Sequence, residues 1–103
     1  MNKPGLRFLC GKGGGFEILQ YLAERPDGSS FTSLGMFLVG LGMKKRYNDV
    51  QYPLNNLLKN KFIRKTHISV EQYTGYNLYK ITKEGKETLQ LLESLFNDKV
   101  LWN

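Results

Sequence analysis

The chain has 103 residues, enough for one domain that buries roughly two-thirds of the surface its unfolded form exposes. A single cysteine, Cys10, excludes an internal disulfide, a single histidine, His67, excludes a zinc constellation, and the longest apolar run, 36–39, falls far short of a membrane span of roughly 20 residues. The basic N-terminus is not followed by a signal-peptide core, so a soluble, cytoplasmic protein in a reducing setting is expected, with no cofactor and no metal.

The net charge of +6 is unevenly placed. Residues 44–86 carry ten basic and three acidic side chains, a local charge of +7, while the remainder of the chain is close to neutral. An excess confined to one window is the footprint of a surface that meets a polyanion.

In chain order, residues 1–15 hold five glycines and one proline and read as a flexible basic arm. Gly5, Gly11 and Lys12 invite comparison with a phosphate-binding loop, G-x-x-x-x-G-K-[ST]. The glycine spacing is one residue too long, however, and Gly13 stands where a hydroxyl is needed. Lys3, Arg7 and Lys12 are better read as loose phosphate contacts. The rest of the chain, 16–103, forms the domain. A first helix is expected over 16–24, burying Phe16, Ile18, Leu19 and Leu22, and the segment 25–28 closes it. A minimal strand at 29–31 precedes a second helix over 33–41, capped by Thr32 or Ser33. Leu34, Phe37, Leu38 and Leu41 keep helical spacing, and Met36 and Val39 make this helix apolar almost all round, so it is expected to be deeply buried or shared. Gly35, Gly40 and Gly42 permit close backbone approach, and Gly42 is placed to end the helix.

Three cations, Lys44, Lys45 and Arg46, then lead through Asn48 into a third helix over 49–60, capped by Asp49 or a neighbour, with Pro53 in its first turn. Val50, Leu54, Leu57 and Leu58 form its apolar stripe, and Tyr52, Asn55, Asn56 and Lys59 project from the other side. A helix that only needed water would carry salt-bridging Glu and Lys, because asparagine is a mediocre helix former. Asparagine does carry the donor and acceptor that match the major-groove edge of adenine, so this face suits base recognition; the bland alternative is a solvated polar face.

Residues 62–70 and 76–81 read as an antiparallel hairpin with a turn at 71–75, Tyr79 and Ile81 pointing inward and Tyr73 and Tyr76 at the turn. Thr82 caps a last helix over 83–101, which carries two apolar stripes, one with Leu89, Leu92, Phe96 and Val100 and another with Leu91, Leu95 and Trp102. A single domain covers one stripe, and the second calls for a partner, most simply a second copy of this chain. His67, on a surface strand, and the scattered carboxylates offer no acid and base pair, so no enzyme is expected.

Helix, short strand, helix, turn, helix, hairpin, helix is the order of a winged helix-turn-helix domain, an α+β fold. The segment from Tyr52 to Ile63 resembles the Y-P-x-L-x-x-L-x-x-x-G-[LI] run of PadR-like transcriptional regulators, with Lys61 where the family's glycine stands. The segment from Tyr79 to Lys86 resembles the Y-x-[LI]-T-x-x-G-[KR] signature of PadR, MarR and related families. Cys10 and the glycines after it resemble the HxlR-like branch, in which an N-terminal cysteine senses oxidants. The resemblance covers roughly residues 16–96 and implies a homodimer that binds double-stranded DNA. The third helix would enter the major groove and the wing would lie on the backbone. The residues placed at DNA are Lys44, Lys45, Arg46, Asn48, Tyr52, Asn55, Asn56, Lys59, Arg64, Lys65 and Tyr73, and those at the dimer interface Leu91, Leu95 and Trp102. A winged-helix module for protein interaction, or for RNA, is the alternative.

Overall fold

A computed structural model describes residues 13–71 and 73–102, with the side chains of Tyr73 and 96–102 outside the described set. The greater part of the expected arm, including Cys10, and the side chains of Tyr73, Phe96, Val100 and Trp102 therefore lie outside the described residues. Among the described residues four helices and one small sheet follow in the order α1 (Gly15–Ala23), β1 (Ser29–Ser30), α2 (Phe31–Gly40), a 3-10 turn (Tyr47–Val50), α3 (Gln51–Lys59), β2 (Ile63–Val70), β3 (Tyr73–Ile81) and α4 (Lys83–Trp102). Among the described residues no helix is long and apolar enough to cross a membrane.

α1 is the centre of the packing. Ile18, Leu19 and Leu22 are completely buried, Phe16 is half-buried, and the helix touches α2, α3, α4 and β3. Leu34 and Leu38 of α2, Val50, Leu54 and Leu57 of the third helical segment, Tyr79 of β3 and Leu89 and Leu92 of α4 close the same core. The sheet runs β1-β3-β2, antiparallel throughout, with Ser29 opposite Tyr79, Ile63 opposite Ile81, and an irregularity between Ile68 and Val70. Ile63 and Tyr79 face inward because alternate strand residues share one side, and that side rests on the helices.

Several local expectations are corrected. α1 begins at Gly15, with Gly14 in the left-handed region at φ 96° and tight against Leu38. α2 begins at Phe31, two residues early, because β1 pairs with β3 only through Ser30. Ser30 is thereby the residue whose Oγ accepts from the N–H of Ser33 at 3.2 Å. α2 is also less enclosed than its composition suggests, since Met36 is 56% exposed, Leu41 lies beyond its end at 51%, and Phe37 is half-buried against the Tyr21 ring at 4.3 Å. Of its glycines, Gly35 makes a close approach, its Cα facing the carbonyl of Tyr47, whereas a side chain at Gly40 or Gly42 would meet nothing. Asp49 does not cap α3. The 3-10 turn runs straight into the helix, the Gln51 N–H reaches the Asn48 carbonyl, and Asp49 instead holds Arg46 at 3.3 Å. Pro53 does sit in the first turn, fully buried. The turn between β2 and β3 is tighter than expected, β3 starting at Tyr73.

The end of α3 and the start of α4 are joined through the hairpin base. The Thr82 N–H donates to the Phe62 carbonyl at 3.0 Å, its hydroxyl donates to the Lys61 carbonyl at 2.7 Å, and the same oxygen accepts from the Gly85 N–H at 3.0 Å. Gly85 lies so close to the Phe62 carbonyl that any side chain there would collide with it. Tyr79 thus fills the core beneath this joint, Thr82 caps the helix that leaves it, and Gly85 lets the two backbones meet.

Candidate nucleic-acid interface

Because Val50, Pro53, Leu54 and Leu57 are buried, the geometry of a helix sends Gln51, Tyr52, Asn55 and Lys59 to the opposite side, and all four are exposed, Tyr52 by 71%. The three asparagines of this segment part company here. Asn56 is half-buried, and its Nδ2 donates to the Tyr52 carbonyl at 3.1 Å, while the Nδ2 of Asn60 donates to the Asn56 carbonyl at 2.8 Å. Both amides serve the helix's own backbone. Asn55 is turned outward, and its Oδ1 accepts from the Nε2 of Gln51 at 2.9 Å.

Lys44, Asn48, Asp49, Gln51, Tyr52 and Asn55 line one open hollow of about 510 Å³. Four of these were expected at the interface; Gln51 was missed, although its position one turn before Asn55 is the signal of an amide pair. Asp49 belongs to the same hollow, where its carboxylate restrains the 79% exposed Arg46 side chain. Lys45 is exposed beside them.

On the hairpin, Arg64 and Lys65 are both exposed, but as neighbours in a strand they leave opposite faces. Arg64 stands directly across from Lys80, a cation that sequence alone does not single out. Like charges in register repel, and an anion between them relieves the repulsion. Lys65 pairs with Tyr79, whose phenol burial pushes above its ordinary value while a hydrogen bond with Asn77 works against the shift. Tyr79 is core, not site. His67 is exposed but not merely solvated: its Nδ1 lies 3.1 Å from the Asn77 Oδ1 and its Nε2 3.0 Å from the Thr74 carbonyl. The imidazole thereby clasps the tip of the hairpin. Gly75 beside it adopts φ 85°. No cluster of three or more potential metal ligands occurs among the described residues.

On α4, Leu89 and Leu92 are buried while Leu91 and Leu95 are each 51% exposed, so this helix has an inner and an outer apolar side. Among the described residues only the inner one is covered.

No family model matches the chain, and no curated protein matches it. Two solved structures of S. aureus MepR variants do share its architecture. One has a TM-score of 0.66 at 19% identity, and the other, described as bound to an oligodeoxyribonucleotide, has a TM-score of 0.65 at 22% identity. Each alignment covers 84% of this chain and 59% of the MepR chain, so the protein spans about three-fifths of the length of these neighbours. MepR is a winged-helix regulator of the MarR type, and this chain has the winged helix-turn-helix fold.

Proposed function

We propose that the protein is a cytoplasmic, sequence-specific regulator of transcription that binds double-stranded DNA as a homodimer, with α3 in the major groove and the β2–β3 wing on the backbone. The observation that carries this reading is the meeting of an amide-rich helix face, a hollow and three consecutive cations at one place on the fold. The oligodeoxyribonucleotide held by a neighbour of the same fold supports it. Tyr52 and Asn55 face base edges. Lys44, Lys45, Arg46, Asn48 and Lys59 surround them and meet phosphates, which position the protein without reading sequence. Asn56 keeps its amide on the helix backbone, so its part at the interface is to hold the first turn of α3 beneath Tyr52. Arg64 and Lys65, on opposite faces of the wing, suit a groove with a phosphate strand on either side, and Tyr73 stands at its tip. Leu91 and Leu95 provide the outer stripe for the second subunit, with Trp102 further along α4.

Selection from random duplex DNA, followed by titration at several salt concentrations, tests the proposal. Neutralising six or more phosphates makes affinity fall by about a thousandfold between about 50 and about 200 mM salt. An enriched sequence with a steep slope is expected. A flat slope, or equal binding to duplex RNA, whose deep, narrow major groove excludes a helix, overturns it. Sedimentation at micromolar concentration is expected to show a dimer, and a monomer for the variant with Leu91 and Leu95 both replaced by serine.

A further inference from the structure

The hydrogen bond between Gln51 and Asn55 goes further than a surface contact, because it holds an outward-facing amide in place. A side-chain amide has a carbonyl with two lone pairs and an NH₂ with two hydrogens, and in water it turns over freely. Bonded to Gln51, Asn55 turns over only together with its partner. Gln51 Nε2 donates to Asn55 Oδ1 at 2.9 Å across one helical turn, so the oxygen of Asn55 is turned toward the first residue of α3 and its NH₂ away from it. One lone pair of Oδ1 and both hydrogens of Nδ2 remain unused by this bond. They are coplanar, and together they match the N6 donor and N7 acceptor of adenine. Guanine offers two acceptors at the same edge, and its O6 would face the Oδ1 oxygen. The pair also stands in the hollow beside Tyr52 and Asn48, on the exposed side of α3.

We propose that Gln51 is a positioning residue for base recognition: it holds the Asn55 amide in place on the exposed side of α3, so that Asn55 meets adenine already ordered. The inference rests on the duplex-DNA reading. Without Gln51 the Asn55 side chain would have to be ordered on binding.

The test uses the full chain and the duplex selected for it, together with three duplexes in which the contacted base pair is replaced by each alternative. Asn55→Ala identifies that base pair, as the position at which discrimination falls by about tenfold or more. Gln51→Met keeps the length of the side chain and removes the hydrogen bond. It is expected to lower discrimination at the same base pair by about threefold or more, affinity for the selected duplex falling by more than affinity for random DNA, with an unchanged melting temperature. The double variant is expected to discriminate no worse than Asn55→Ala alone, since residues that act as one unit are not additive. Loss at a different base pair, additive losses, or full discrimination by Gln51→Met overturns the positioning role while leaving DNA binding intact. Failure of the unmutated chain to prefer any duplex overturns the DNA reading itself, and the role of Gln51 with it.

Discussion

The two helices of the helix-turn-helix end with the same hydrogen bonds and different residues. After α2, the Gly42 N–H reaches the Val39 carbonyl at 2.9 Å and the Met43 N–H reaches Leu38 at 3.0 Å; after α3, Lys61 reaches Leu58 and Phe62 reaches Leu57, both at 3.0 Å. Each pair is a Schellman closure, which needs one residue in the left-handed region. Gly42 takes it at φ 76° and Lys61 at φ 62°. Glycine occupies that region without strain, whereas a residue with a Cβ is strained there by about 1 to 2 kcal/mol. The surroundings account for the difference. Nothing lies within 4 Å of a side chain placed at Gly42, so only the backbone conformation calls for glycine. Around Lys61 the chain is gripped from outside, its carbonyl by the Thr82 hydroxyl and the next carbonyl by the Thr82 N–H. A turn that stands alone depends on its own residue, and a turn clamped by a neighbouring element tolerates a poor one.

The clamp is where this contrast can be broken most severely. Gly85→Ala places a methyl group against the Phe62 carbonyl and 2.8 Å from Ile81 Cγ1, so α4 must move off the hairpin base. A loss of about 3 kcal/mol is expected, read from the urea midpoint. Wild-type stability would show that α4 can slide without cost. Next in size is Thr82→Val, which keeps the shape and removes the hydroxyl that bonds Lys61 and Gly85. It is expected to cost about 1 to 2 kcal/mol, and to cost less in a Lys61→Gly background, where the turn no longer needs holding. Equal losses in both backgrounds would separate the clamp from the turn.

The same contrast explains what the sequence disclosed and what it hid. The order of elements was legible because apolar spacing alone distinguishes the stripe of α3 from the alternation of β3. Tyr79 and Thr82 were legible because strand alternation and helix capping are local demands, whereas Gly85 stood out only through the resemblance of its segment to a family signature, its demand being the close approach to the Phe62 carbonyl. The start of α2 was not, since Ser29, Ser30, Thr32 and Ser33 are all competent caps, and the choice is made by pairing with β3, far away in the chain. The site was legible as a face but not residue by residue. A helical projection sets Asn55 and Asn56 side by side, yet only the three-dimensional path shows that Asn56 is half-buried with its amide on the Tyr52 carbonyl. Gln51 was passed over because glutamine in a first helical turn needs no explanation until its partner is seen. Arg64 and Lys80 were counted as charges, and only the strand register brings them face to face.

Of the two turns themselves, the unclamped one is expected to be the more sensitive. Gly42→Ala introduces a Cβ into the left-handed region with no steric neighbour and no outside grip. The strain of about 1 kcal/mol or more is offset in part by the lower freedom of alanine in the unfolded chain, leaving a net loss of about 0.5 to 1 kcal/mol. Thermal unfolding reads this as a fall of about 2 to 8 °C for a domain of this size.

The smallest effect has the opposite sign. Lys61→Gly removes strain at φ 62° but frees the unfolded chain, so the two contributions oppose each other. The net gain expected is about 0.5 kcal/mol, a rise of about 2 to 4 °C in Tm. Because Lys61 is exposed and stands outside the proposed interface, the slope of DNA affinity against salt is expected to stay as it was. A fall in Tm would mean that the Lys61 side chain stabilises the joint by more than its backbone strains it, and the clamp would then be supporting a favourable residue. A slope reduced by about one unit would place Lys61 on a phosphate, and the lysine at this turn would owe its place to binding and not to tolerance.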